Sequence, residues 1–156
     1  MTLSIREADD RDFAAMVDVW AEAWTALLPH IDFDARRPWF TQYLGTLRQE
    51  GAILLAAFDA ADRVQGFVTV DPGKQEVDQL VTALAVQRRG VGRQLLHLAK
   101  ERSPVGLSLT VNVMNTRALG LYLSEGFVVV GDGVSSRSGL PVHHMRWTGS
   151  EGHALV

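Results

Sequence analysis

Six residues, Gln87-Arg88-Arg89-Gly90-Val91-Gly92, restrict the folds open to this chain more than any other stretch. They follow a strand-like segment, Glu76 to about Thr82. They precede a helix running to Arg102, with Val91, Leu95, Leu98 and Ala99 on one face. Gly90 and Gly92 let the main chain bend sharply between the two elements and approach another molecule closely. The amides of a first helical turn have no intrahelical acceptor, and the helix dipole adds positive potential there. Such a turn is an anion site. Each amide bonding a charged phosphate oxygen contributes about 1.5–3 kcal/mol, so three or four would hold a diphosphate. Arg88, Arg89 and Arg93 add charge complementarity.

Two other phosphate motifs fail on this sequence. The P-loop requires Gly-Lys-Ser/Thr, which is absent, and the dinucleotide pattern requires a third glycine where Leu95 stands. No acidic residue lies near Asn112, where that pattern wants one.

Periodicity orders the rest. Leu3 to Glu7 alternates as a short strand, and Asp10 or Asp12 can cap a helix carrying Phe13, Met16, Val17, Trp20 and Trp24 up to Pro29. A second helix is expected over 34–49. Ile53 to Phe58, Val64 to Val70 and Glu76 to Thr82 form a meander, with Asp71-Pro72-Gly73 as a turn. Leu107 to Val111 is a strand. Asn115 caps a helix ending at Gly126, Phe127 to Val130 is a strand, and 131–141 reads as a Gly- and Ser-rich loop before His143 to Trp147. An antiparallel meander followed by α/β units implies an α/β (α+β) fold. Its sheet is mixed, mostly antiparallel and of six or seven strands, with about four helices on both faces. The 156 residues are expected to form a single domain, 1–156.

Composition narrows function. Net charge is -3, with eight acidic and four basic residues in 1–40, so no nucleic-acid footprint is present. The basic cluster Arg88, Arg89, Arg93, Lys100 and Arg102 suits a small polyanion. No cysteine is present, which removes disulfides, thiolate metal sites and a cysteine nucleophile, and fits a cytoplasmic setting. No signal peptide or membrane span is visible. His143 and His144 are adjacent, so on a strand they point to opposite faces, and no metal site is expected.

Two blocks carry a family resemblance. Gln87-x-x-Gly90-x-Gly92 resembles motif A of the GNAT superfamily of N-acetyltransferases. Asn115-Thr-Arg-Ala118-Leu-Gly-Leu121-Tyr122-Leu-Ser-Glu-Gly126-Phe127 resembles its Asn-x-x-Ala-x-x-(Leu/Phe)-Tyr-x-x-x-Gly-Phe block. Order and separation agree, and the resemblance covers roughly residues 63 to 131. It implies a sheet splayed between strands four and five, with acetyl-CoA as cosubstrate and no metal. The amides of residues 87 to 93 (Val91 included) would bind the diphosphate. Leu80, Val81 and Thr82 would bond the pantetheine and acetyl carbonyl through their backbone, and Asn115 would bond the pantetheine. Tyr122 would protonate the departing sulfur. Leu84 stands where the family often has proline, and the spacing rejects Leu84-Ala85-Val86 as the strand's end. A primary amine on a small molecule or peptide is the implied acceptor, attacked directly in a ternary complex, and homodimers are frequent. The alternative is a GNAT-fold protein that binds acyl-CoA without turnover.

Amine acetylation needs a free amine, and strand four offers Glu76 and Asp78 on one face. Glu76 lies eleven residues before Gln87, which matches the catalytic glutamate position of some family members. Either carboxylate, or solvent, is the candidate base. Trp24, His30, Phe33 and Trp39, with the loop around Arg137, are candidates for the acceptor pocket or simply for the core.

Overall fold

A computed structural model describes residues 2–149. Its strands are β1 (Ser4–Glu7), β2 (Ile53–Phe58), β3 (Val64–Asp71), β4 (Glu76–Thr82), β5 (Leu107–Asn112), β6 (Val128–Val134) and β7 (Pro141–Trp147). Its α-helices are α1 (Phe13–Leu27), α2 (Arg37–Gln49), α3 (Val91–Arg102) and α4 (Thr116–Ser124). The element order is the expected one.

The seven strands form one sheet in the order β1-β2-β3-β4-β5-β7-β6. Every neighbouring pair is antiparallel except β4 and β5, which run parallel and meet only at Glu76 and Ser108. Beyond that pair the two strands part, as the resemblance implies. Helices cover both faces. Met16, Phe40, Leu44 and Phe67 are fully buried in the layer under α1 and α2, and Leu95, Leu96, Leu107 and Met145 in the layer under α3 and α4. Each such side chain contributes about 1.5–3 kcal/mol of burial. Strands covered on both faces have no polar face to show, which is why β2 reads as the unbroken apolar run ILLAAF. Among the described residues no helix is long and apolar enough to cross a membrane.

Two local expectations are corrected. The first helix is not capped by the side chain of Asp10 or Asp12. Asp9 caps a 3-10 turn, Asp10–Asp12, that leads into α1, and the Asp12 carboxylate accepts from the Asp9 amide at 2.9 Å in a capping box. Segment 131–141 is not all loop, because β6 continues to Val134 and β7 begins at Pro141. Gly131 and Gly133 are strand residues paired across to β7. A Cβ on Gly133 would lie 2.9 Å from His144 Nε2, so the glycine makes room for that ring. On α3, Val91, Leu95 and Ala99 are buried as expected, Leu98 is half-buried against the same core, and Leu96 joins them.

Candidate active site

The turn before α3 has the geometry its glycines require. A 3-10 turn, Leu84–Val86, follows β4, so this segment is not strand. Arg88 and Gly90 then take φ values of 69° and 84°, and Gly90 is the N-cap of α3. A left-handed residue other than glycine is disfavoured by about 1–2 kcal/mol, which explains Gly90 and marks Arg88 as strained. The amides of Arg88, Gly90, Val91, Gly92 and Arg93 have no backbone acceptor among the described residues. The first bond of the helix is Gln94 N–H to Gly90 C=O at 3.0 Å. Gly92 serves for closeness instead. A Cβ there would sit 3.4 Å from Leu121 and 3.6 Å from Thr82, ordinary contact distances that a methyl group fills. The buried Val91 and Leu95 side chains anchor this first turn to the sheet.

A cleft of about 500 Å³ opens over the turn, lined among others by Thr82, Arg88, Gly90, Gly92, Arg93 and Arg117. Among the described residues no acidic side chain lines it. Bare amides, two glycines and three guanidinium groups suit a diphosphate in both charge and room. Gln87 and Arg89 line neither this cleft nor the larger one described next.

A second cleft, of about 690 Å³, occupies the gap between β4 and β5 and extends to α1 and α2. It shares Thr82, Gly92, Arg117 and Leu121 with the first, so the two clefts adjoin at these residues. Leu80, Asn115 and Tyr122 line it, whereas Val81 turns its side chain into the core under α1 and α2. Asn115 caps α4, its Oδ1 accepting from the Ala118 amide at 3.3 Å, which leaves its own amide group free to donate. Tyr122 is buried, its ring centroid 5.7 Å from that of Phe127, and its hydroxyl has no hydrogen bond among the described residues. Burial pushes this phenol up to about 12, against a weaker opposing pull from Arg117, so it remains a proton donor through neutral and alkaline pH.

Both candidate carboxylates line the larger cleft, in different states. A bulge pairs Thr69 with Gln79 and Val70 with Val77, leaving Asp78 as the extra residue of β4. Asp78 is tied at both oxygens, to the Tyr43 hydroxyl at 2.7 Å and to Gln79 Nε2 at 3.0 Å. Burial, followed by the bond to Asp78, raises the pKa of Tyr43 and keeps it the donor. Glu76 is exposed and has neither hydrogen bond nor ion pair through its side chain among the described residues. The far wall is aromatic. Trp20 stacks on Phe40 at 4.1 Å and stands edge-on to Phe33 at 5.5 Å, and Trp39 stacks on Tyr43 at 5.1 Å. Arg137, from the loop joining β6 to β7, lies over both Tyr43 (4.6 Å) and Trp39 (5.0 Å).

Sequence reasoning missed Tyr43 and Arg117. Helical spacing from Trp39 puts Tyr43 one turn along the same face of α2, a signal that was present. Arg117 falls on a variable position of the second motif, and nothing local marks it.

Residues 38–149 match the family profile described as "Acetyltransferase (GNAT) domain", and the chain belongs to that family of N-acetyltransferases. It is 28% identical over 147 residues to the peptidyl-lysine N-acetyltransferase YiaC of Escherichia coli (strain K12), covering 92% of this chain and 95% of that protein. The solution structure of apo-form YjaB from Escherichia coli superposes with a TM-score of 0.75 at 26% identity, covering 96% of this chain and 100% of that one. The PaiA N-acetyltransferase of Thermoplasma acidophilum, solved in complex with coenzyme A, shares the fold with a TM-score of 0.74 at 18% identity, over 95% of this chain and 99% of that one.

Proposed function

We propose that the protein transfers the acetyl group of acetyl-CoA to the side-chain amine of lysine in a peptide or protein, by direct attack in a ternary complex. The observation that carries this reading is the passage itself: an anion-binding turn and a carboxylate-bearing aromatic cleft share Thr82, Gly92, Arg117 and Leu121. The lysine acceptor is supported by two relatives, named as peptidyl-lysine N-acetyltransferases. The aromatic wall agrees with it, because rings attract an ammonium and pack on its methylene stem.

The amides of Arg88 and of Gly90 to Arg93 hold the diphosphate, with Arg88 and Arg93 adding charge. Gln87 and Arg89 shape the turn. The backbone of Leu80, Val81 and Thr82 and the side-chain amide of Asn115 hold the pantetheine arm. Acetyl-CoA supplies an acyl group already activated as a thioester. Glu76 removes a proton from the lysine ammonium, directly or through water, since Asp78 has both oxygens engaged. Asp78 instead fixes Tyr43 and with it the face of α2. The freed nitrogen attacks the carbonyl carbon, and the C–N bond forms as the C–S bond breaks. Tyr122 protonates the departing sulfur, the new amide nitrogen gives its surplus proton to water, and Tyr122 regains one from solvent. Positioning supplies much of the rate, because two reactants in one passage no longer meet by diffusion.

The test is thiol release from acetyl-CoA against a panel of lysine peptides and small amines, with CoA binding followed by calorimetry. Release with lysine peptides is expected. Tight CoA binding without release on any amine would instead make this an acyl-CoA-binding protein.

A further inference from the structure

Two cations face the smaller cleft without an anionic partner. Arg88 enters from the turn before α3 and Arg117 from the first turn of α4. Neither forms an ion pair or side-chain hydrogen bond among the described residues. Arg93, which lines the same cleft, is already engaged with Glu125 at 3.3 Å and the Ser124 hydroxyl at 3.3 Å. Glu125 is shared further with His97 at 2.6 Å and Lys100 at 4.0 Å, so no carboxylate is left on that side for Arg117.

Arg117 sits open to water within a groove of protein atoms. Burial holds its guanidinium below the usual arginine range, and the charge of Arg88 acts in the same direction, with Tyr122 opposing. Two guanidinium groups of like charge facing one cleft without a carboxylate repel each other. The surroundings make it worse, since free amides and the N-terminus of α3 also present positive potential to this cleft. What relieves all of these at once is an anion of more than one charge lying between α3 and α4.

We propose that Arg117 is a second anchor for the phosphates of CoA, closing on them from α4 across the cleft from the amide cradle. The proposal rests on the CoA reading above and adds a residue to it. The guanidinium offers two parallel donors to phosphate oxygens, a geometry an ammonium does not reproduce. Because Arg117 also lines the larger cleft, it stands where the phosphate-bearing part of the ligand gives way to the pantetheine arm.

Calorimetry of the wild type, Arg117→Gln and Arg117→Lys with CoA, 3′-dephospho-CoA and pantetheine tests this. Arg117→Gln should weaken CoA about 10- to 30-fold, with Arg117→Lys in between. Pantetheine, which has no phosphate, should bind both variants as it binds the wild type. An equal loss for dephospho-CoA assigns the contact to the diphosphate. Indifference of dephospho-CoA to the substitution assigns it to the 3′-phosphate. Thermal melting separates binding from folding, because removing an unpaired like charge should leave Tm unchanged or raise it. Unchanged CoA affinity in Arg117→Gln, a matching loss for pantetheine, or a lowered Tm accompanying the loss would each overturn the proposal. Failure of the wild type to bind CoA would overturn the functional reading instead.

Discussion

The two ends of the passage are built in opposite ways. At the α3 end the groups on offer belong to the main chain. Five amides, two glycines and a helix start lie within seven consecutive residues, and their side chains matter mostly by being small or out of the way. At the α2 end the lining is made of side chains drawn from distant segments: Trp20 and Trp24 from α1, Trp39 from α2 with Tyr43 stacked against it, Glu76 and Asp78 from β4, and Arg137 from the β6–β7 loop. A backbone site leaves a short, spaced signature because glycine and cap positions are conformationally fixed. A side-chain site leaves none, since folding alone brings its parts together.

This contrast orders the expected effects of substitution. Gly92→Val should be the most severe, because it adds bulk beside Leu121 and Thr82 in the cleft over the bare amides. Loss of two amide contacts weakens CoA about 100-fold or more, read by calorimetry, while the melting temperature changes little. Tyr122→Phe should lower kcat about 100-fold with CoA affinity intact. Because burial raises the phenol to about 12, it loses its proton only as pH rises through that value. The kcat–pH profile of the wild type should therefore show no alkaline limb from Tyr122 below about pH 11. Glu76→Gln should lower kcat/KM about 10- to 100-fold, with the loss smallest at high pH where the amine is already free. Asp78→Asn should fall well short of it, and the reverse ranking would exchange their roles. Trp39→Ala should raise the acceptor KM about 5-fold through loss of the ring and of the Arg137 contact, leaving CoA affinity unchanged.

Legibility in the sequence follows the same division. Element order and the turn at Gly90 and Gly92 were readable because apolar period, glycine position and capping are local, whereas the split sheet was legible only through the family resemblance. The extension of β6 through Gly131 and Gly133 was not, because glycines that accommodate a histidine ring look the same in sequence as glycines of a loop. Glu76 and Asp78 could be named but not ranked, since the bond from Tyr43 spans 35 residues and passes through a bulge that no pattern announces. Arg117 was invisible for a related reason. Its significance lies in what it lacks, and an absent ion partner is a property of the fold.

The central claim is that the two clefts form one passage. It is tested most directly with a bisubstrate ligand, a lysine peptide joined through its side-chain nitrogen and an acetyl bridge to the sulfur of CoA. If the passage is continuous, tethering turns the second binding event into an intramolecular one. The ligand should then bind about 100-fold or more tighter than CoA alone in calorimetry, with the gain reduced by Trp39→Ala. Affinity no better than that of CoA would mean that the turn at α3 and the carboxylates of β4 do not serve one reaction.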